Sequence, residues 1–209
     1  MIQIPKKLGV IHFIGLGGIG MSGIAEILVQ SGYLIQGSDL NESNNTNRLK
    51  KLGVKIFIGQ KALNIENAKI IVVSSAILDS NIELMAAKKM FLPIVHRSEM
   101  LGELMRLKQS IAVAGTHGKT TTTSLIARIV DQNGMDPTII NGGIISALGS
   151  NAKLGNGEWM IVEADESDGS FAKLNPTVAV ITNIDLEHLD HHGTEENLEK
   201  AFFNFVSST

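Results

Sequence analysis

A glycine-rich loop in the middle of the chain constrains the fold more than any other stretch. It follows a short apolar run, Ile111–Ala114, and leads into a helical pattern that places four apolar residues on one side, Leu125, Ile126, Ile129 and Val130. A strand, a glycine loop, Lys-Thr and a helix form the arrangement that cradles phosphates, because glycines let backbone N–H groups approach phosphate oxygens at the positive end of a helix. In such a loop Lys119 reaches the β- and γ-phosphates of a nucleotide, and Thr120 offers its hydroxyl to Mg²⁺.

The glycine spacing of this loop departs from the strict Walker A pattern. That pattern has four residues between its glycines, whereas Gly115 and Gly118 enclose only Thr116 and His117. The position of an earlier glycine holds Val113. A simple glycine turn with an exposed lysine is therefore the alternative to a phosphate loop.

A second glycine loop lies near the start of the chain. The apolar run Val10–Ile14 is followed by G-x-G-x-x-G at Gly15–Gly20 and by a helical pattern. Asp39 follows the next predicted strand, 19 residues after Gly20, at the spacing where an acidic residue meets a ribose hydroxyl. These features alone predict the NAD-binding domain of an oxidoreductase, although any nucleotide diphosphate can use the same helix N-terminus.

Polar residues follow two further predicted strands of the first half. Ser74 and Ser75 end the apolar run Ile70–Val73, and Arg97 follows the strand Pro93–Val95. Open α/β sheets bind ligands at the carboxyl ends of their strands, and an arginine can bind phosphate with two hydrogen bonds. Ordinary loop serines and an exposed arginine at a helix start are equally compatible with the sequence.

An acidic segment follows the predicted strand Trp159–Val162. It has four acids in six residues, Glu163–Asp168, and the first stands at the strand end where phosphate-loop enzymes hold a metal. Glu163 is therefore the predicted Mg²⁺ ligand, and the other acids are predicted to be loop charges or substrate contacts. Zinc is not predicted, because His191 and His192 are adjacent and no closed ligand set accompanies them.

Two polar segments are predicted to be loops, and the last helix is predicted to lack cover. The loops are Asn41–Asn47 and Gly149–Gly157. Thr194 is a suitable N-cap for a final helix whose apolar positions within Leu198–Phe205 need a partner. We expect this face to favour self-association, for example as a homodimer, or a loosened C-terminal end. The second half ends one helix after its last strand, Thr177–Ile181, so the chain looks incomplete.

Length and composition limit the remaining classes. A chain of 209 residues accommodates two small domains, and its alternation of strands and helices predicts a mostly parallel sheet. The formal net charge of −3 gives no broad electrostatic reason to expect nucleic acid. The sequence has no cysteine, which fits a reducing cytoplasm. Glycines interrupt the apolar segment Leu8–Ala25, which argues against a signal peptide or a membrane-inserting helix.

Seven segments of the chain together resemble the Mur ligase family. They stand in the family's order and extend over the whole chain, and GT-x-GKT is the family's own phosphate loop, which accounts for the short glycine spacing. The segments are GLGGIGMSGIAE at Gly15–Glu26, GSD at Gly37–Asp39, SSAI at Ser74–Ile77, HRSEMLGELM at His96–Met105, GTHGKTTTT at Gly115–Thr123, EADESD at Glu163–Asp168 and TNIDLEHLD at Thr182–Asp190.

The resemblance implies a fold and an activity. The expected fold is α/β, with a Rossmann-like UDP-substrate-binding domain at residues 1–107 and part of a phosphate-loop ATPase-type domain at 108–209. The implied activity is that of an ATP-dependent, ADP-forming ligase of peptidoglycan precursor synthesis, which joins L-alanine to UDP-N-acetylmuramate through an acyl phosphate in the cytoplasm. Family members continue beyond the matched motifs, so these 209 residues are expected to be inactive alone. A non-catalytic nucleotide-binding module is a further alternative.

The resemblance also assigns roles to individual residues. The diphosphate of the substrate is expected at Gly17, Gly18, Ile19 and Gly20, its uridine side at Asp39, and the rest of that pocket at Ser74, Ser75 and Arg97. ATP is expected at Gly115, Thr116, Gly118, Lys119, Thr120, Thr121 and Asn183. The implied catalytic residues are Lys119, His117, Glu163 and His188, with His117 between ATP and the substrate carboxylate, and Mg²⁺ is expected at Thr120, Glu163 and His188.

Overall fold

The structure is a computed structural model that describes residues 9–145, 148–167, 169–187 and 192–209. It divides into two compact units, Met1–Met100 and Leu101–Thr209. The division falls within a helix, Arg97–Met105, so this helix begins in one unit and ends in the other. The domain boundary predicted at residue 107 lies beyond this helix and stays a prediction.

The first unit alternates strands and helices along the chain. Its elements are β1 (Val10–Ile14), α1 (Ile19–Gln30), β2 (Leu34–Asp39), α2 (Asn44–Lys51), β3 (Lys55–Ile58), a 3₁₀ turn (Ala62–Ile65), β4 (Ala68–Val73), α3 (Ile82–Lys89), β5 (Ile94–His96) and the start of α4 (Arg97–Met105). The five strands are parallel and lie in the order β3-β2-β1-β4-β5. This order is that of a Rossmann-type sheet, which confirms the fold class predicted for the first half.

A buried network of polar side chains connects β1, β2 and α3. Glu83 accepts hydrogen bonds from the Ser38 hydroxyl and from Asn64 Nδ2, the latter at 2.6 Å. Its Oε2 also lies 3.3 Å from His12 Nε2, and Gln36 Nε2 lies 3.1 Å from His12 Nδ1. Burial by itself raises the pKa of the Glu83 carboxyl, but these hydrogen bonds outweigh burial and hold the pKa below its ordinary value.

The segment Asn41–Asn47 contains the start of a helix, so its prediction as a loop was wrong. Ser43 caps α2, because its Oγ accepts from the backbone N–H of Thr46 at 3.2 Å. The Thr46 hydroxyl in turn lies 2.8 Å from the backbone nitrogen of Ser43. This reciprocal capping box stabilises a helix whose inner face buries Leu49, despite its otherwise polar sequence.

The second unit also places parallel strands beside helices. Its elements after α4 are β6 (Gln109–Ala114), α5 (Lys119–Gln132), β7 (Thr138–Ile145), β8 (Ser150–Lys153), β9 (Trp159–Glu163), a 3₁₀ turn (Ser170–Lys173), β10 (Val178–Ile181) and α6 (Glu195–Ser207). The strands lie in the order β10-β6-β9-β7-β8, and among the strand pairs of the described residues only β7–β8 is antiparallel. The predicted α/β class of the second half is therefore confirmed.

The segment Gly149–Gly157, predicted to be a polar loop, contains the edge strand β8. Lys153 and Ala152 pair with Ile139 and Ile140 of β7. The strand has a polar sequence and almost no alternation, so its structure depends on pairing with β7 and not on its own residues. A single-sequence pattern cannot indicate such a strand.

The predicted apolar side of α5 was wrong for two of its residues. Leu125 and Ile129 are 60% and 61% exposed, whereas Ala127 is 2% exposed. Ala127 packs with Ile139 and Ile161 of the sheet. The small residue faces the core because it allows the helix to lie close to the strands.

The apolar face of α6 is covered, so the prediction that it lacks cover was wrong. Phe171, on the 3₁₀ turn after β9, packs against Phe202 and Phe205 with ring centroids 5.0 and 5.3 Å apart. Thr194 caps the helix as predicted, accepting from the Asn197 N–H at 3.3 Å. The homodimer stays a prediction. None of the helices in the described ranges has the length and apolar character of a membrane span.

Candidate phosphate-binding sites

The first glycine loop, Gly15–Gly20, turns directly from β1 into α1. The N–H groups of Gly15 and Leu16 both donate to the Ser38 carbonyl at 2.9 Å. This turn requires a φ of +79° at Gly15, a conformation that favours glycine. The N-cap, Gly18, provides no side-chain hydrogen bond to α1. A helix N-terminus of this kind suits an anion.

Asp39 and Asn45 hold the backbone of Gly17 from two directions. Asp39 Oδ2 accepts from the Gly17 N–H at 2.7 Å, and Asn45 Nδ2 donates to the Gly17 carbonyl at 2.8 Å. Arg48 donates to Asn45 Oδ1 at 3.1 Å and to Glu26 Oε2 at 2.8 Å. Asp39, the predicted uridine contact, therefore touches the glycine loop itself, and its role toward a ligand stays a prediction.

The other residues predicted for the first pocket lie at the same edge of the sheet. A side chain on Gly20 would come within 2.9 Å of an Arg97 guanidinium nitrogen, so Arg97 lies over the first turn of α1. Ser75 Oγ lies 3.1 Å from His96 Nε2, and Ser74 precedes it at the end of β4. The structure thus brings the glycine loop and Arg97 together, and it adds His96 to the predicted set.

The second glycine loop joins β6 to α5. Gly115 has φ of +129° and Gly118, the N-cap of α5, has φ of +78°. A side chain at Gly115 would collide with the Thr182 hydroxyl and lie 2.9 Å from the Asn183 carbonyl oxygen. No atom of the described residues lies within 4 Å of a side chain placed at Gly118. Gly115 is therefore required for space and conformation, and Gly118 for conformation alone.

The chain that follows β10 supports this loop. The Thr182 hydroxyl donates to the His117 carbonyl at 2.6 Å, and Asn183 Nδ2 donates to the same oxygen at 3.0 Å. Asn183 Oδ1 also accepts from the His117 N–H at 3.0 Å. The Asp185 N–H donates to Thr116 Oγ1 at 2.8 Å. Asn183 therefore fixes the loop backbone, and its predicted contact with a nucleotide stays a prediction.

Lys119 is bound within the protein. Its Nζ donates to the carbonyls of Gly115 and Thr116 at 2.6 and 3.1 Å and to Glu166 Oε1 at 2.6 Å. Glu166 is 1% exposed. Burial raises the pKa of the Glu166 carboxyl, and the hydrogen bond from Lys119 opposes this shift only in part. A buried ion pair therefore stands at the phosphate loop.

His117 extends from the loop toward two acidic side chains. Its Nε2 lies 3.4 Å from Asp185 Oδ2 and 3.8 Å from Glu187 Oε1. The imidazole is 58% exposed, so it reaches the solvent beside the loop. The predicted position of His117 between ATP and a substrate carboxylate stays a prediction.

The predicted Mg²⁺ ligands flank two adjacent glycines of β7. Glu163 Oε2 accepts from the Gly142 N–H at 2.8 Å, and a side chain on Gly143 would lie 3.0 Å from Thr120 Cγ2. In the described part of the chain, no group of three or more His, Cys, Asp or Glu forms a metal cluster; His188 lies outside that part. A carboxylate and a hydroxyl are nevertheless suitable donors for Mg²⁺, which usually completes its shell with water and substrate phosphates.

Sequence reasoning missed several residues of these two sites. His96, Asn45 and Thr182 lie outside the predicted set, and Glu166 was grouped with its acidic neighbours. The capping box of α2 is the signal that would have placed Asn45 on a helix. No sequence signal separates Glu166 from the adjacent acids, because the turn after β9 decides which of them faces the loop. Thr121, predicted to contact ATP, lies exposed in the first turn of α5.

Comparison with known families gives matches along nearly the whole chain. Residues 10–109 match the family described as "Mur ligase family, catalytic domain". Residues 113–209 match the "Mur ligase middle domain". Each of the two matched regions contains one of the two glycine loops.

Curated relatives carry the name UDP-N-acetylmuramate–L-alanine ligase. The protein from Parvibaculum lavamentivorans is 62% identical over 208 residues, which are 100% of this chain and 42% of that protein. The protein from Rhodospirillum rubrum is 59% identical over 206 residues, which are 99% of this chain and 43% of that protein. The chain thus spans less than half the length of these relatives.

Solved structures have the same fold. A UDP-N-acetylmuramate-alanine ligase from Thermotoga maritima is 33% identical with a TM-score of 0.89, covering 94% of this chain and 46% of that one. A UDP-N-acetylmuramate:L-alanyl-gamma-D-glutamyl-meso-diaminopimelate ligase from Neisseria meningitides is 26% identical with a TM-score of 0.89, covering 96% of this chain and 68% of that one.

Proposed function

The chain belongs to the Mur ligase family, and we propose that it forms the substrate-binding and phosphate-loop units of an ATP-dependent ligase that joins L-alanine to UDP-N-acetylmuramate. The observation that carries the proposal is the presence of two glycine loops, each joining an internal parallel strand to the N-terminus of a helix of 12 or 14 residues. The names of the relatives at 59% and 62% identity support the choice of substrates.

The first loop is suited to a diphosphate. It offers the N-terminus of α1 at Gly18–Gly20, and Arg97 adds a cation beside Gly20. Backbone N–H groups and a guanidinium are the donors that bind phosphates in many proteins. In the proposal Ser74, Ser75 and Asp39 complete the pocket for the UDP substrate.

The second loop is suited to the triphosphate of ATP. In the proposal Lys119 contacts the β- and γ-phosphates, and Thr120 and Glu163 hold Mg²⁺. When bound, Mg²⁺ supplies Lewis-acid neutralisation of phosphate charge. The positive charge of Lys119 lies next to the transferring phosphoryl group. The hydrogen bonds from Thr182 and Asn183 to the His117 carbonyl keep the loop backbone in place before ATP binds.

The proposed reaction has two steps with balanced bonds. A carboxylate oxygen of UDP-N-acetylmuramate attacks the γ-phosphorus of ATP, the bond from that phosphorus to the β–γ bridging oxygen breaks, and ADP leaves. The amine of L-alanine then attacks the acyl carbon, phosphate leaves with the electron pair of the C–O bond, and the nitrogen loses a proton. Lys119 stabilises the charge that develops on phosphate oxygens in the first step. A cytoplasmic location, where ATP is available, is part of the same proposal.

Two titrations test the first half of this proposal. The chain is titrated with UDP-N-acetylmuramate and with NADH in separate calorimetric experiments. We expect binding of the UDP substrate and no binding of NADH. Tight NADH binding without a response to the UDP substrate would instead support the oxidoreductase that the first glycine loop alone predicts.

A product assay tests the second half. ATP, Mg²⁺, UDP-N-acetylmuramate and L-alanine are mixed with the protein at the length found in its natural source, and phosphate release and amide formation are measured. We expect both products in equal amounts. ATP binding without either product would favour a non-catalytic nucleotide-binding module.

A further inference from the structure

Lys119 uses three ammonium donors inside the protein. They bind the carbonyl oxygens of Gly115 and Thr116 and Oε1 of Glu166, at 2.6, 3.1 and 2.6 Å. A lysine ammonium has only three N–H donors. A phosphate oxygen that forms a direct hydrogen bond with Nζ must therefore replace, or share a proton with, one of these acceptors.

The two carbonyl acceptors are held in place by the rest of the loop. Thr182 and Asn183 bind the next residue, His117, through three hydrogen bonds of 2.6 to 3.0 Å. The Thr116 N–H donates to the Asn183 carbonyl at 3.2 Å. These carbonyls are also neutral, so an arriving phosphate meets no net charge on them. They are therefore the acceptors that Lys119 keeps.

Glu166 differs from the carbonyls in charge and in position. It lies after β9, on a different segment from the loop, and its side chain is 2% exposed. Its negative charge opposes a phosphate near the same ammonium group, and the low dielectric of a buried site strengthens that opposition. The proposed reaction gives the Glu166 carboxylate no role.

We propose that Glu166 is the internal counter-ion of Lys119, which exchanges this carboxylate for a phosphate oxygen when a polyphosphate binds. Glu166 is thus a positioning residue that keeps the lysine directed into the loop without a nucleotide and lowers the affinity of the loop for polyphosphate. The inference rests on the proposed ATP-binding role of this loop. It adds a residue that sets how tightly the nucleotide is held.

The test compares three substitutions at Glu166 and Asp165 in the chain as it stands, and Lys119→Met shows whether the loop binds phosphate. Glu166→Gln keeps the shape and the Oε1 acceptor but removes the charge. Glu166→Asp keeps the charge. Asp165→Asn removes the charge of a neighbouring side chain that does not bind Lys119. Its Oδ1 instead accepts hydrogen bonds from the hydroxyl and the backbone N–H of Ser167, at 2.7 and 3.1 Å. The probes are ATP with Mg²⁺ and inorganic tripolyphosphate without metal, both measured by calorimetry.

We expect Glu166→Gln to bind tripolyphosphate about tenfold more tightly than the unaltered chain, since one opposing buried charge is removed. Asp165→Asn and Glu166→Asp are expected to bind no more than about twofold more tightly. A purely structural role would weaken binding instead of tightening it. An unchanged midpoint of urea denaturation, followed by the fluorescence of Trp159 in β9 of the second unit, shows that each variant is folded.

Two results overturn the inference in distinguishable ways. If Lys119→Met removes tripolyphosphate binding but Glu166→Gln binds equally or less tightly than the unaltered chain, the loop binds phosphate and the counter-ion role is wrong. If neither the unaltered chain nor Glu166→Gln binds either probe, the inference fails together with the proposed ATP site.

Discussion

The loops Gly15–Gly20 and Gly115–Lys119 both join a parallel strand to a helix, yet they present different donors. The first has no cation of its own, and Arg97 approaches it from α4. Its backbone is held by Asp39 and Asn45, which bind the N–H and the carbonyl of Gly17. The second carries Lys119 within the loop, already paired with a buried carboxylate.

The two sites are therefore prepared for an anion in different ways. At the first loop the helix N-terminus supplies partial charges, and polar side chains fix the backbone that presents them. At the second loop a full positive charge is present but compensated. We therefore expect substitutions in the second loop to change ligand binding more than those around the first.

The largest effect is expected for Lys119→Met. ATP affinity should fall by about 100-fold, since one or two hydrogen bonds to a charged group contribute about 1.5–3 kcal/mol each. Affinity for UDP-N-acetylmuramate should not change. Calorimetry with both ligands measures this, and Lys173→Met, at an exposed lysine of the same unit, is the matched control. Comparable ATP binding by the two variants would mean that Lys119 does not contribute to ATP binding at the second loop.

A second test uses the two glycines of the same loop. Gly115→Ala adds a collision to an unfavourable φ, so we expect a loss of about 2–4 kcal/mol in the free energy of unfolding. Gly118→Ala meets no atom within 4 Å among the described residues, so only its conformation opposes alanine and about 1–2 kcal/mol should be lost. Urea denaturation measures both. Equal losses would mean that the contact with Thr182 and Asn183 does not constrain the loop.

A smaller effect is expected at the first loop for Asp39→Ala. The Gly17 N–H loses a charged acceptor at 2.7 Å, so binding of UDP-N-acetylmuramate should weaken about tenfold. ATP binding should be unaffected, because Asp39 belongs to the other unit. Titration of the variant with each ligand decides the matter, and equal loss of both ligands would contradict the separation of the two sites.

The smallest effect is expected for Asn45→Ala. The Gly17 carbonyl loses a neutral donor at 2.8 Å, which should weaken binding of the UDP substrate about threefold. Asn47→Ala is the matched control, because Asn47 lies exposed on the same helix. A change in ATP affinity, or the same change in both variants, would show that α2 affects the protein generally and not the first loop.

The sequence predicted the parts of the fold that depend on local patterns. The apolar runs at Val10–Ile14 and Ile111–Ala114 both lie in strands, because each run fills a buried position in a parallel sheet. The short strand Ser150–Lys153 was missed because pairing with β7 creates it. The helix Asn44–Lys51 was missed because its asparagine-rich sequence is typical of a loop, whereas a capping box stabilises it as a helix.

The positions of the two glycine loops in the fold were predictable to a similar extent. The glycine loops and Lys119 carry recognisable spacing, so their places at strand ends followed from the sequence. The partner of Lys119 did not, because Glu166 and Asp165 are adjacent acids and only the backbone turn after Glu163 directs one of them inward. Contacts between distant segments, such as Thr182 with His117, likewise require the tertiary structure.

The buried network around Glu83 links the first loop to acid stability. The Ser38 carbonyl accepts hydrogen bonds from the backbone N–H groups of Gly15 and Leu16, and the Ser38 hydroxyl donates a hydrogen bond to Glu83. Because the folded-state pKa of Glu83 lies below its ordinary value, its stabilising contribution is present above the unfolded pKa and is lost as the pH falls through the folded one. Protonation of this carboxyl therefore weakens the hydrogen bonds beside the strand end that supports the glycine loop, so the free energy of unfolding should fall as the pH falls below the ordinary range of a glutamate.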